Sequence, residues 1–444
     1  MSSTEHAEGR AEARTLPPVH ESWLPREHSL YRPRHGTQRL ALASMIVFFF
    51  APLVALPVFG SPQTTENRRL ADFPSPLDGW QFLPNLSAWA NDHLSFKADA
   101  IAVSDWVSRE IFGERPRLGR DTQQPVGPVA PPPTSQPPAP QRQERDTEVV
   151  ANGYQSVIEG RDDWLYLGYD VQGKCEPSQP LADVVANIAR LRDAVEQSGR
   201  RFVLVIAPDK TTIEPFYLPK QYAGKDCAAK ASDKFWRAMS AERGVVDLRG
   251  LLRQESERVN HPLYFEQDTH WTFEGGLLMT RALTNVLNPG AAGSWKVLPG
   301  RDWQGPADLP NLIGATGQNR APMLGLAPDG GDGDRTNWIS GDFRTTLTFQ
   351  RTAGPGMIPA KTAMLADSYT RFATGYLSAV FADITITHVE QLTKDTQAVA
   401  DRLIPADTVV IEVVERHLAA GVSPVTNPGF VDRMAATVAA HPRR

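Results

Sequence analysis

Asp268, His270 and Ser368 are the residue types an acyl-transfer site needs, and the first two share the stretch QDTHWTFEGG, residues 267–276. A serine hydroxyl is a poor nucleophile until a base takes its proton, and the base works best when a carboxylate holds it in place. In extended chain, positions 268 and 270 point to the same side, so Asp268 can hold one imidazole nitrogen while the other faces a serine. Ser368 follows AMLAD, where a buried strand gives way to a helix. That junction lies at the carboxyl edge of a parallel sheet, where α/β proteins bind ligands. Backbone N–H groups at the helix start can stabilise an oxyanion there. Each residue also has a plainer reading. Ser368 alone is a helix N-cap, and Asp268 with His270 is an N-cap pair or two ligands of a metal. A metal would want a third ligand, and the sequence shows no His, Cys or Asp cluster near by, so neither metal nor cofactor is expected.

Other candidates carry less. Tyr369 and Arg371 follow the serine, as substrate contacts or as helix surface. Trp271 is placed either to stack on a sugar ring or to fill the core. Lys210 and Glu214, in PDKTTIEPFYLP, pair across one helical turn or line the site. His388 ends a strand and His417 follows VVER, and both can be structural.

The elements that must position these residues are legible from about 150 onward. RFVLVIAP, 201–208, is a continuous apolar run of the buried parallel-strand kind. Val184, Ile188, Leu191 and Val195 recur at helical spacing, with Gly199 as the stop. Residues 232–243 and 272–287 read as helices, the second with Thr272 as N-cap and Pro289 beyond its end. The C-terminal text is clearest: TAMLAD strand, SYTRFATGYLSAVF helix, ITITHV strand, KDTQAVADRLI helix, DTVVIEVV strand. That βαβαβ order predicts a parallel sheet covered on both faces. Residues 289–350 break the rhythm with Gly, Pro, Asp and Asn and read as a long irregular insertion.

The N-terminal third is different in kind. Residues 40–59, LALASMIVFFFAPLVALPVF, carry no charge and are long enough to cross a bilayer. Arg10, Arg14, Arg26, Arg32, Arg34 and Arg39 precede the run, and only Arg68 and Arg69 follow closely. The positive-inside rule then makes 1–39 a disordered cytoplasmic tail, 40–60 a single-pass inner-membrane anchor, and the rest periplasmic. A cleaved signal peptide is the competing reading, against which stand the long leader and the lack of a clear cleavage site. An amphipathic arm, 61–115, is expected to pack on the catalytic domain, 149–444. Between them lies a proline-rich insert, 116–148, with eight prolines in the sixteen residues 125–140, which reads as a spacer. Cys175 and Cys227 are the only two cysteines in the 444 residues. Outside the cytoplasm they read as a disulfide between surface loops, or else as two unpaired small residues. The mild net charge of −5 and the lack of a basic patch argue against nucleic acid.

ENRRLADFP, GRDDWLYLG, VIAPDKTTIEPFYLP, DTHWTFEGG, LADSYT and VVIEVVER occur in that order. In these motifs the chain resembles the alginate O-acetyltransferase family of AlgJ/AlgX type, over about 61–112 and 150–418. The resemblance implies an SGNH-hydrolase-like three-layer α/β sandwich with a parallel sheet. It implies an Asp-His-Ser triad, which falls on Asp268, His270 and Ser368. It also implies a periplasmic enzyme that moves acetyl groups onto an exopolysaccharide, with a multi-spanning membrane acyltransferase supplying them. Two departures stand out. The serine motif is ADSY rather than G-D-S, and alanine lacks glycine's φ > 0 freedom, which predicts a slightly different turn. The text after 418 is too short for the carbohydrate-binding domain some members append, which lowers polymer affinity or moves it into 289–350. The same triad serves a polysaccharide acetyl esterase, and a third reading is a non-catalytic scaffold of a secretion complex.

Overall fold

The computed structural model describes residues 40–47, scattered positions from 73 to 93, 97–107, 110, 153–339 and 343–443. By their contacts the residues fall into two units, 1–62 with 71–95, and 63–70 with 96–444. In the first, residues 40–47 form a helix with Leu40, Leu42, Met45, Ile46 and Val47 exposed. Among the described residues no helix is long and apolar enough to cross a membrane. The expected anchor is therefore not supported: its eight described residues are too few to span, and 48–60 lie outside the described residues, as do 1–39 and 116–148.

The second unit is organised by one six-stranded sheet. Its strands are β3 (Arg201–Ala207), β4 (Val245–Asp247), β7 (Leu347–Gln350), β8 (Thr362–Ala366), β9 (Asp383–His388) and β10 (Thr408–Val414), in the order β4-β3-β10-β8-β9-β7. All neighbours run parallel except β7, which pairs antiparallel with β9. The sheet is thus mixed rather than wholly parallel, because β7 belongs to the region read as irregular and returns along the edge.

Strand residues alternate between two cores. Val203, Val205, Met364, Ala366 and Val410 face the Phe273–Leu287 and Thr374–Val380 helices. Phe202, Leu204, Ile206, Leu365 and Ile411 face the Leu181–Gln197, Lys225–Met239 and Pro428–Ala440 helices. That alternation makes the sandwich three-layered, and it explains why β8 and β10 are fully buried and, Glu412 and the leading threonines apart, apolar on both faces. Each Val, Leu or Ile so buried contributes roughly 1.5–3 kcal/mol, so a charge at Val410 would unseat both neighbouring strands.

Region 289–350 is not irregular. It holds a long hairpin of β5 (Lys296–Pro306) and β6 (Gln318–Ala327), with a register break between Leu298 and Arg301. A smaller hairpin joins β1 (Val157–Glu159) to β2 (Leu165–Leu167), turning through Asp162 and Asp163 at positive φ. Cys175 ends the Tyr169–Cys175 helix and Cys227 lies in the first turn of Lys225–Met239, so both sit in helices rather than loops. The structure bonds their sulfurs, with Cα atoms 5.7 Å apart. Of the expected arm, the Lys97–Trp106 helix lies in this unit. Its Ala102 approaches Gly314 so closely that a Cβ there would come within 2.3 Å of the Ala102 Cα, and φ +67 there also favours glycine.

Candidate active site

The DTH stretch forms the tip of a closed loop. Thr272 N–H donates to Leu263 O (2.7 Å) and Phe265 N–H to His270 O (3.2 Å), which draws the two arms together. Ser368 stands at the end of β8, at the carboxyl edge of the sheet. The two meet: His270 Nδ1 lies 2.6 Å from Asp268 Oδ1, and His270 Nε2 lies 2.8 Å from Ser368 Oγ. The carboxylate fixes the proton on Nδ1, which leaves Nε2 to accept from the serine hydroxyl. Asp268 and His270 are buried, and Ser368 is half-buried.

Asp268 is held on its other oxygen too. Asn319 Nδ2 donates to Oδ2 at 2.7 Å and Asp308 N–H at 3.2 Å. Burial pushes this carboxyl up, but His270 beside it and the hydrogen bonds from His270 and Asn319 outweigh that and hold it at about 2. Asp308 is a second carboxylate at the same imidazole, with Oδ2 3.5 Å from Nδ1. Burial, and then the charge of Asp268, push Asp308 up to about 6. The environments therefore separate the two carboxyls. Asp268 is the ionised partner of His270, while Asp308 accepts from Thr269 N–H (2.9 Å) and Oγ1 (2.6 Å).

Sequence reasoning missed Asp308 and Asn319, because both come from the hairpin region that shows no periodicity. Asp308 also completes a group of three with Asp268 and His270, whose ligand atoms lie within 4.8 Å of one another. Asp308 lies 38 residues after His270, so no third group is visible beside the DTH stretch in the sequence. Hydrogen bonds within the group and from Thr269 and Asn319 already engage these carboxylates.

The serine turn is pinned by Asp367. Its carboxylate accepts from Tyr369 N–H (3.0 Å) and Val414 N–H (2.8 Å), and its own N–H donates to Glu412 (3.2 Å). Thr370 N–H donates to Asp367 O (3.3 Å). Two amides expected to face an oxyanion are thus spent on Asp367. This cap also tightens the start of the expected helix, which is 3₁₀ over Ser368–Ala373 and α only over Thr374–Val380. Ala366 is the last β8 residue, paired with His388, and is not at positive φ. Alanine in place of glycine therefore strains nothing there.

The remaining candidates sort by burial. Tyr369 is fully buried; its hydroxyl donates to Thr269 O (2.5 Å) and accepts from Arg416 (3.2 Å). Arg416 in turn reaches Asp170 and Asp209, and Lys174 bridges Asp209 and Glu415 at 2.8 Å each, a buried charge cluster beneath the site. Trp271 is also fully buried, its indole N–H on Tyr369 O at 3.0 Å. Both are therefore internal braces of the site, not surfaces for substrate. Arg371 is half-buried, its guanidinium 5.8 Å from the Phe372 ring. Lys210 directs its ammonium at backbone carbonyls rather than across a turn to Glu214. Burial holds His388 down at about 3 and His417 well below the usual range, so both stay neutral.

Residues 157–306 match the family model of the SGNH hydrolase-like domain of the acetyltransferase AlgX. Over that segment the chain is similar to the AlgJ/AlgX-type domain. Its curated relatives include a probable alginate O-acetylase AlgJ of Pseudomonas putida, 25% identical over 32% of this chain and 37% of the relative. Another, from Azotobacter vinelandii, is 24% identical over 38% of this chain and 44% of the relative. The chain thus spans under half the length of these relatives. Among solved structures, the O-acetyltransferase domain of Pseudomonas putida AlgJ is similar at TM-score 0.42 and 16% identity, covering 63% of this chain and 98% of that one. Pseudomonas aeruginosa AlgX is similar at TM-score 0.42 and 16% identity, covering 64% of this chain and 68% of that one.

Proposed function

We propose that this protein is an O-acetyltransferase that moves an acetyl group onto a secreted polysaccharide through an acyl-enzyme on Ser368. The observation that carries the reading is the hydrogen-bonded line from Asp268 through His270 to Ser368. In acylation, Ser368 Oγ attacks the acetyl carbonyl while His270 Nε2 takes its proton. The tetrahedral intermediate collapses, and the leaving oxygen takes that proton from the imidazolium, which Asp268 stabilises. In the second half, a sugar hydroxyl gives its proton to His270 and attacks the acyl carbon, and Ser368 leaves with the proton. Transfer and hydrolysis differ only in this second nucleophile. A transferase must favour a positioned hydroxyl over water, which orientation can achieve.

The AlgX-type domain and the AlgJ relatives support acetyl as the group and an alginate-like polymer as the acceptor. The reading includes a multi-spanning membrane acyltransferase as donor and a periplasmic site at the inner membrane. The arginine asymmetry around 40–59 supports that location. A reporter fused after residue 150 that works only in the periplasm is expected to be active; activity only in the cytoplasm would refute the location.

The functional test follows label from an acetyl donor in the presence of candidate oligosaccharides. Label on the sugar, lost in Ser368→Ala, is the expected result. Free acetate alone, with deacetylation of pre-acetylated polymer, would make the protein an esterase. Full polymer acetylation in cells carrying Ser368→Ala would leave only the scaffold reading.

A further inference from the structure

Lys210 is buried at the start of the Lys210–Ile213 turn, just beyond β3. Its ammonium donates to three backbone carbonyls: Leu165 (2.7 Å), Glu266 (2.7 Å) and Asp268 (3.2 Å). The rings of Trp164 and Tyr166 lie 4.6 and 5.0 Å from the nitrogen, an arrangement that favours a cation. Leu165 N–H also donates to Glu266 O (2.9 Å), so the start of β2 and the 266–268 segment are joined through one carbonyl and one ammonium. Asp268 is therefore anchored on its backbone as well as on its carboxylate, which Asn319 and the Asp308 N–H also hold. Its carbonyl is tied to Lys210 and its carboxylate to His270.

We propose that Lys210 is a positioning residue for acyl transfer, whose three ammonium donors hold Asp268 in the register where its carboxylate meets His270. The donor count makes the charge state matter. Three carbonyls need three N–H groups, which an ammonium has; a neutral amine has two and turns a lone pair on the third. The inference rests on the triad reading and extends it to the backbone that carries the carboxylate.

The acids facing Lys210 are Asp268, Asp308, Asp170 and Glu214, all of which favour its proton. Burial nevertheless outweighs them and brings the amine down from 10.5 to about 7. From about 7 to 10.5 the unfolded chain binds more protons at this position than the folded one. This group's contribution to stability therefore rises with pH across that window, while its grip on Asp268 is lost. Activity and stability should move in opposite directions, whereas a merely structural prop would move both together.

The test uses 4-nitrophenyl acetate with the wild type, Lys210→Met and Ser368→Ala, the last giving the background rate. The wild type is expected to lose kcat above about pH 7 while its urea midpoint holds or rises. Lys210→Met, folded by circular dichroism, is expected to lose about 100-fold in kcat, the scale of a 1 Å misplacement. Its KM should be little changed and its alkaline fall absent. Wild-type kcat in Lys210→Met, or the same alkaline fall in that variant, would overturn the proposal. If Lys210→Met does not fold, the wild type alone decides: a flat kcat from pH 6 to 9 would overturn it. Ester turnover undiminished in Ser368→Ala would instead sink the nucleophile assignment, a different failure.

Discussion

Strand β8 and the β5–β6 hairpin region both supply groups to the His270 chain, and they are built on different principles. β8 is buried on both faces and paired on both edges, and it delivers Ser368 at its carboxyl end. β5 is largely exposed and broken in register, yet the hairpin region delivers Asn319 and Asp308 to Asp268. The proposed nucleophile thus sits on the part that packing fixes most firmly. The groups that set the carboxylate's charge sit on a part whose first strand is mostly exposed. There Trp303, Met323 and Leu326 pack on the core, and hydrogen bonds to an ion add to that apolar contact. A deep apolar strand tolerates little change of volume. A polar contact depends on one or two donors, so single substitutions in the hairpin should retune the site without unfolding the domain.

The largest effect should come from His270→Ala, which cuts the chain between the two regions. Acylation by an activated ester is expected to fall on the order of 10⁴- to 10⁶-fold, with the circular dichroism spectrum unchanged. Removing Asp268, His270 and Ser368 together should cost little more than this single change. Additive losses in the triple variant would mean that the three do not act as a unit.

Next is Asn319→Leu, which touches only the hairpin. It takes one donor from ionised Asp268, a hydrogen bond on the order of 1.5–3 kcal/mol, or roughly 10- to 100-fold in kcat/KM. Asp268 is held at about 2 in the fold, so its stabilising share is present above its ordinary 3.8 and is lost as pH falls through 2. Losing Asn319 raises that folded value, so acid unfolding should begin at a higher pH. An acid midpoint identical to the wild type would show that Asn319 does not hold the charge.

Asp308→Asn should have the smallest effect on rate, under about tenfold, because Asp308 touches the chain only from the side. Its carboxyl is raised to about 6. The contribution it makes to stability is therefore full below its ordinary 3.8 and lost as pH rises through 6. The variant should gain urea resistance over the wild type at pH 7 and not at pH 4. Equal gains at both would remove Asp308 from the electrostatic account.

The contrast also explains what the sequence revealed. Strands β3, β8 and β10 were legible because burial on both faces writes an apolar run, and the helices between them because one face writes a period. Asp268 and His270 were legible because they stand two apart in extended chain. Asn319 and Asp308 were not, since neither lies near the DTH stretch in sequence and KVLPGRDWQGP shows no alternation of apolar residues. For Tyr369 and Trp271 the sequence leaves open whether they face substrate or the interior, because an aromatic beside the DTH stretch or Ser368 has the same sequence whether it faces out or in. The fully buried indole of Trp271 and the Arg416–Tyr369–Thr269 hydrogen bonds decide for inward.

The account stands or falls on Ser368 becoming acylated through His270. The direct measurement is the mass of the intact protein, quenched in acid after brief exposure to 4-nitrophenyl acetate, followed by peptide mapping. The wild type should carry one added acetyl group on the peptide containing Ser368. Ser368→Ala should carry none there, and His270→Ala should acquire it slowly if at all. An acetyl group on another residue at the wild-type rate, undiminished in Ser368→Ala, would contradict the account.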